Sequence, residues 1–448
     1  MATVVTWTGR EANALRQAMR LSVTDFADHL GAARRSVVKW GSRGTDIRPR
    51  PDMQAALDTV LARASDDVRA RFDCLRVART GGAPEDPANA SISADPAWAI
   101  DHEPSELTAD RQDGVVRRRD VLSGLGKGAI GPAMTQLLDL LFVTEPASDA
   151  VSVRNLTEKV AAVKTDYQGC RYTRVLDQLT ALLPSMEAAR ARVDDAHRTE
   201  LEVAATDLYH VLGSVLLKSG DREMALVAAE RSSRSGVASG DPLAVGTSAR
   251  IMTHAVMSNG HPDQAVRLAR AGAARLEQDV SMKSAEAIAV FGALLLRGAI
   301  AAARAEDKST AQDMLDEAGH AAAHMGADGN DRWTGFGPTN VLLHRVNVAL
   351  CFGDAGTAIA IAREVPLERI RLAERKATLL LDVAQAYTQW GKHEQGLRAI
   401  RAAYHVAPEE IRTRPTAHRV LGDLAALSRG RVRTDVAAFA SQAGICCD

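Results

Sequence analysis

Arg34, Arg35, Ser36 and Lys39 crowd into one short segment of this chain, and all four are side chains that suit an anionic, hydrogen-bonding partner. Exposed together on one helix, they form a basic outer face of the kind that enters a nucleic-acid groove. A second polar set is Asn340, His344 and Asn347, spaced i, i+4 and i+7 among Leu342, Leu343, Val346, Val348 and Leu350. A polar stripe on an apolar helix is costly unless it is solvated or used. Asparagine amides both donate and accept, which suits clamping the backbone of an extended peptide. Ordinary solvation or inter-helix hydrogen bonding is the alternative for the same stripe.

The basic set needs a scaffold, and the run from Ser22 to Trp40 supplies one. Ser22 or Thr24 caps a first helix whose Phe26, Ala27 and Leu30 make one apolar edge. Gly31 permits the turn, and Ala27 lets two helices cross closely. In the next helix Val37, Val38 and Trp40 pack inward, leaving Arg34, Arg35, Ser36 and Lys39 toward solvent. A supporting helix is expected from about Gly9 to Leu21, and another starts at Pro51, continued by Met53, Leu57, Val60 and Leu61. Residues 1–64 carry ten Lys/Arg against six Asp/Glu, whereas the whole chain has a net charge of -1.

This run resembles the Cro/repressor-type (XRE) helix-turn-helix: polar cap, aliphatic-Ala pair, turn glycine and late aromatic recur at these offsets. The resemblance covers about residues 9–64. It implies that Arg34, Arg35 and Ser36 meet base edges, and that Thr24, Lys39 and Arg43 meet phosphates. The family usually has an acidic residue after the aromatic; here Gly41 stands there, which favours an early end of that helix. The alternative is a helix pair that only packs or dimerises.

The 448 residues leave room for two to three domains, and the Ala-, Leu-, Arg- and Glu-rich composition with 4% aromatics points to an almost wholly helical protein. Cys74, Cys170, Cys351, Cys446 and Cys447 show no CxxC and no His pairing at metal spacing. That argues against a disulfide frame or zinc site and for a reducing compartment. The adjacent Cys446 and Cys447 suit either a redox switch or a surface accident. With no signal peptide and no membrane-length apolar run read in the sequence, the expected location is the cytoplasm, with no membrane partner. No cofactor and no metal are expected.

Residues 80–113 hold eight acidic residues against one Arg, with Pro, Gly and Ser, and read as a flexible acidic linker. The following Arg117-Arg118-Arg119 run superficially resembles a twin-arginine export signal, but it is internal. A docking helix from about Val115 to Leu141 is the expectation there. Its Gly124-Leu-Gly126-Lys127-Gly128 lacks P-loop spacing and the required hydroxyl.

Beyond Val151 the pattern repeats. Tyr209, Leu212, Gly213, Leu216, Gly220 and Ala225 align with Met252, Val256, Gly260 and Ala265. Next come Leu295, Ala299 and Ala311, then Leu342, Val346 and Ala358, then Leu380, Val383, Tyr387 and Gly396. This resembles the tetratricopeptide repeat, although the matching small residues here lie 38 to 47 positions apart, longer than the usual unit of ~34 residues. Tyr167–Arg190 reads as a further unit and Thr416–Gly444 as a cap, giving five to six repeats. The expected fold is therefore all-α: an N-terminal helix-turn-helix bundle plus a C-terminal tetratricopeptide-like right-handed α-solenoid. Residues 1–79 form the DNA-binding domain, 80–113 the linker, and 114–448 the repeat domain for effector binding and dimerisation.

In such repeats the first helix of each pair lines a concave groove. The resemblance places Asp207, His210, Ser214, Thr247, Arg250, His254, Met257, Asn340, Asn347, Gln385 and Thr388 there, beside His344. Arg250 is almost alone as a cation in this set. The loop Gly329–Thr339 brings Trp333 and Phe336 among flexible glycines, as a gate or ligand platform, or as a hinge that packs Trp333 into the core. The layout resembles the RRNPP class of peptide-responsive regulators and actinobacterial regulators of the same design. It implies a homodimeric transcription factor on a double-stranded operator, controlled by a peptide or small-molecule effector in the groove. The alternative is a protein-interaction scaffold with secondary DNA binding, which basic groove residues would favour. An enzyme is not expected: Asp207 and His210 lie one turn apart, but there is no nucleophile elbow, paired acid and base, or metal cluster.

Overall fold

A computed structural model describes residues 7–19, 21, 23–32, 36–37, 39–40, 44–77, 131–142 and 152–445. Every regular element among them is helical, with no strand, and they fall into two compact units. Arg34, Arg35 and Arg43, the side chain of Thr24, the linker at 80–113, the segment 115–130 and Cys446–Cys447 lie outside the described residues.

The first unit contains α1 (Gly9–Ala18), α2 (Val23–Leu30), α3 (Pro51–Arg63) and α4 (Asp66–Val77). Helix α1 starts where the sequence implies and ends three residues earlier than Leu21. Its first turn is closed by Thr8, whose side chain accepts from Arg10 N while Glu11 accepts from Thr8 N. Gly31 turns the chain after α2 at φ +63°, a left-handed conformation that only glycine adopts without steric cost. Residues 36–37 and 39–40 are helical beyond it. Phe26, Ala27, Leu30, Val37 and Trp40 enter one core with Trp7, Leu15, Leu57 and Phe72. Trp7 packs 5.8 Å from Phe72 between ring centroids and donates from Nε1 to Asp58 at 2.7 Å. Residues Leu421–Ala437 also belong to this unit, and Leu427 packs on its core. A stretch expected in the repeat cap is thus grouped with the N-terminal helices.

The second unit begins with α5 (Gly131–Phe142), the described part of the expected docking helix, then α6 (Val153–Gln168) and α7 (Tyr172–Arg190). It continues with α8 (Asp195–Ser219), α9 (Arg222–Ser239), α10 (Pro242–Ser258) and α11 (Pro262–Asp279). Then follow α12 (Ala285–Arg304), α13 (Lys308–Met325), α14 (Pro338–Cys351) and α15 (Ala355–Glu364). The last are α16 (Ala373–Gln389), α17 (His393–Val406), α18 (Pro408–Thr413), α19 (Pro415–Leu427) and α20 (Gly430–Ala443), of which the stretch Leu421–Ala437 belongs to the first unit. Sequential helices pack as pairs, and Ala225, Ala265, Ala311 and Ala358 are fully buried between them, where a larger side chain would hold the backbones apart. Helix α12 is apolar enough by composition to cross a membrane, but it lies in the middle of the stack and is mostly buried by its neighbours.

The first helices of the pairs form an inner row: α6, α8, α10, α12, α14 and α16 each pack on the next. The row then closes, since α16 also packs on α6. A cluster of buried charges fixes the closure. Lys218 Nζ of α8 lies 2.9 Å from Glu374 of α16 and 2.7 Å from Glu410 of α18. Glu410 also accepts from the Tyr172 hydroxyl and from Arg414 at 2.8 Å. At the C-terminal end of α6, Gln168 and Asn330 exchange side-chain hydrogen bonds at 2.9 and 3.1 Å, and Gln168 donates to Trp333 O at 3.2 Å. Where a concave groove was expected, the six inner helices surround a chamber.

Candidate ligand-binding site

The chamber has a volume of about 790 Å³, within the ~300–1,000 Å³ range of small-molecule sites. Each inner helix turns one face to it. Helix α8 supplies His210, Ser214 and Lys218, α10 supplies Thr247, Arg250, His254 and Met257, and α14 supplies Asn340, His344 and Asn347. These spacings of three or four residues keep one stripe inward. Trp333 is half-buried and also lines the chamber.

Four expected residues do not line it. Phe336 is fully buried in the hydrophobic core instead, its ring seated where a Cβ on Gly292 would lie only 2.0 Å from its Cζ. Apolar burial holds that ring, and Gly292 makes room for it. Asp207 is off the lining, its Oδ2 2.7 Å from Nζ of the lining residue Lys164. Gln385 is half-buried away from the lining, as Thr388 is buried with its hydroxyl donating to Ala384 O.

The larger correction concerns charge. Arg250 is far from alone: Lys164, Lys218, Arg222, Arg297 and Arg304 line the same space. Arg332, Arg375, Arg414 and Arg419 join them, against the carboxylates of Glu374 and Asp382. Arg297 was legible in the repeat register. It follows Leu295 by two positions, as His254 follows Met252 and His344 follows Leu342, and it is the one charged residue in the run from Ala287 to Ala303. The cations from α6, α16 and α19 had no such signal, because only the closure of the ring brings those helices to the chamber.

Some of these charges are matched and some are not. Lys218 holds Glu374 well below the usual carboxylate range despite burial, which opposes ionisation. Arg332 pairs with Asp241 at 3.2 Å, and Arg375 donates to Thr334 O at 3.0 Å. Arg250 donates to His210 Nε2 at 2.9 Å, while its Nε has no partner. Arg297 makes no hydrogen bond or ion pair among the described residues. Burial and then the neighbouring arginines push Arg297 down to about 9. Burial, followed by Arg375, pushes Arg250 down to about 10. Lys164 is pushed down to about 8 by burial, against the pull of Asp207. His210 and His254 lie well below their ordinary value, and His344 falls to about 3, through burial first and nearby arginines second. Asp382 accepts from Asn347 Nδ2 at 3.1 Å, and burial raises it to about 6. Thr247 Oγ1 and Asn340 Oδ1 are buried without a partner. A buried polar atom left unpaired costs free energy unless something else meets it.

The Asp331–Trp333 turn beside the chamber carries backbone strain. Arg332 and Trp333 both adopt positive φ, +48° and +59°, a conformation costly for side-chain-bearing residues. Lys164 Nζ lies 5.1 Å from the Trp333 ring centroid, so the indole also takes part in the cation-rich wall.

On the expected DNA face, Lys39 is exposed and Ser36 half-buried on the helical residues after Gly31. No family model matches this chain, and neither curated proteins nor solved structures give a match.

Proposed function

We propose that the protein is a DNA-binding transcriptional regulator whose operator affinity is set by an effector held in the chamber of the second unit. In this reading the first unit is an XRE-type helix-turn-helix and the second a tetratricopeptide-like repeat array. The observation that carries the reading is the N-terminal helix–Gly31–helix arrangement, with Phe26, Val37 and Trp40 in its core and Lys39 outward. An apolar inner side and a basic outer side are what a recognition helix requires. Arg34, Arg35 and Ser36 would read base edges, and Thr24, Lys39 and Arg43 would contact phosphates.

The unpartnered polar atoms of the chamber support an effector role, since a purely structural cavity would be apolar or fully paired. An effector that prefers one arrangement of the repeats alters operator affinity by linkage. A homodimer on a two-fold operator is part of the proposal. The abundance of chamber cations also favours the scaffold reading, with an acidic partner. Against it, a volume of about 790 Å³ suits a compact ligand better than a folded partner. Chromatin capture with the native protein, followed by gel-shift titration of the recovered sites, tests the proposal. Arg34→Ala with Arg35→Ala should abolish sequence-specific binding and leave helical content unchanged; retained specific binding would overturn the assignment.

A further inference from the structure

The chamber says something about the chemistry of its occupant, and this step rests on the effector reading above. Arg250 and Arg297 stand on adjacent inner helices, α10 and α12, and neither has a carboxylate within ion-pair distance among the described residues. Arg375, paired only loosely with Glu374 at 3.5 Å, adds a third guanidinium to the same field. Like charges gathered in a poorly solvated space repel strongly, and the natural relief is an anion of matching multiplicity. Guanidinium forks are suited to the planar oxygen pairs of phosphate and carboxylate. Further groups of the same chamber are unmatched: the Arg250 Nε–H, the Thr247 hydroxyl, and the Asn340 amide, which presents either donor or acceptor by rotating. The carboxylates on the lining are already engaged, Glu374 by Lys218 and Asp382 by Asn347.

We propose that the chamber binds a compact small-molecule polyanion, bearing two or more phosphate or carboxylate charges. Arg250 and Arg297 grip it, and Thr247 and Asn340 complete the cradle. A volume of about 790 Å³ suits a compact ligand better than a long chain, and the many cations on the lining make charge the main source of selectivity.

Isothermal titration of the full chain with inorganic pyrophosphate, citrate and a tetraglutamate peptide, against chloride at matched ionic strength, tests it. Saturable one-to-one binding of pyrophosphate or citrate is expected, and which of the two binds more tightly separates phosphate from carboxylate sources. Arg250→Met and Arg297→Met should each weaken that binding about tenfold or more, whereas Arg154→Met, on the exposed face of α6, should not. Unliganded Arg297→Met should melt at the same temperature as the parent or higher, since an unmatched cation has been removed. Arg297→Lys provides a second variant, retaining the charge but losing the fork. No saturable binding of either small anion, binding unaffected by both methionine variants, or preference for the peptide would each overturn the proposal. Operator affinity is measured separately with and without the bound anion. Anion binding without a change there sinks the regulator reading and leaves this one standing.

Discussion

Replacing Lys218 by Met removes the ammonium that α8 places between Glu374 and Glu410, at 2.9 and 2.7 Å. The side chain of Glu410 is fully buried and that of Lys218 is 9% exposed, so solvent cannot take over the lost contact. Breaking a buried ion pair by deleting one partner costs about 3–5 kcal/mol. Arg414 still pairs with Glu410 at 2.8 Å and Arg375 lies 3.5 Å from Glu374, so the expected loss is near the lower end, about 3 kcal/mol. With a urea slope of about 3 kcal/mol per molar, the midpoint falls by about 1 M. Urea melts followed by helical circular dichroism read this directly, with Lys159→Met on the exposed face of α6 as the control. The Glu374 carboxyl is held low by Lys218 against the effect of burial; without the lysine it protonates more readily, so the deficit shrinks on moving from neutral pH to pH about 5. The double variant Lys218→Met, Glu410→Gln should lose less than the two single losses combined. A Lys218→Met deficit no larger than that of Lys159→Met would refute the view that these charges close the ring.

Gly292→Ala should destabilise the second unit by about 1–3 kcal/mol, because its Cβ would stand 2.0 Å from the Phe336 ring; thermal melts of Gly292→Ala with and without Phe336→Leu check this, the leucine recovering part of the loss. Acid should weaken the fold through the buried histidines. His344 has a folded value of about 3, below its ordinary 6.5, so its contribution is complete above pH 6.5 and is lost as pH falls from there toward 3. The slope is about 1.4 kcal/mol per pH unit for each such histidine, partly offset by Asp382, which takes up its proton near 6 in the native state. Stability measured against pH should flatten in His344→Gln, and an unchanged slope would count against the neutral buried ring. Lys39→Ala should weaken DNA binding alike across sequences and reduce the salt slope by about one, measured by titration at several salt concentrations.

Local rules made much of the architecture readable. Pro51 opens α3, Gly31 breaks the chain, and the alanines at 225, 265, 311 and 358 mark close helix crossings. Each depends on a few adjacent residues, and periodicity carries that information directly. The inward stripes of α8, α10 and α14 were legible for the same reason, and Arg297 would have been, had the register been carried through α12. Phe336 was not: whether an aromatic in a glycine-rich loop faces a cavity or the core depends on the space that Gly292 leaves on another helix. The chamber's charge and the closure of its helix row were also beyond the sequence. Lys218 meets Glu410 across 192 positions and Gln168 meets Asn330 across 162. Contacts that distant arise from the cumulative curvature of the stacked pairs, a sum of small inter-helix angles that no single repeat encodes, so only the tertiary structure could bring those cations around one space.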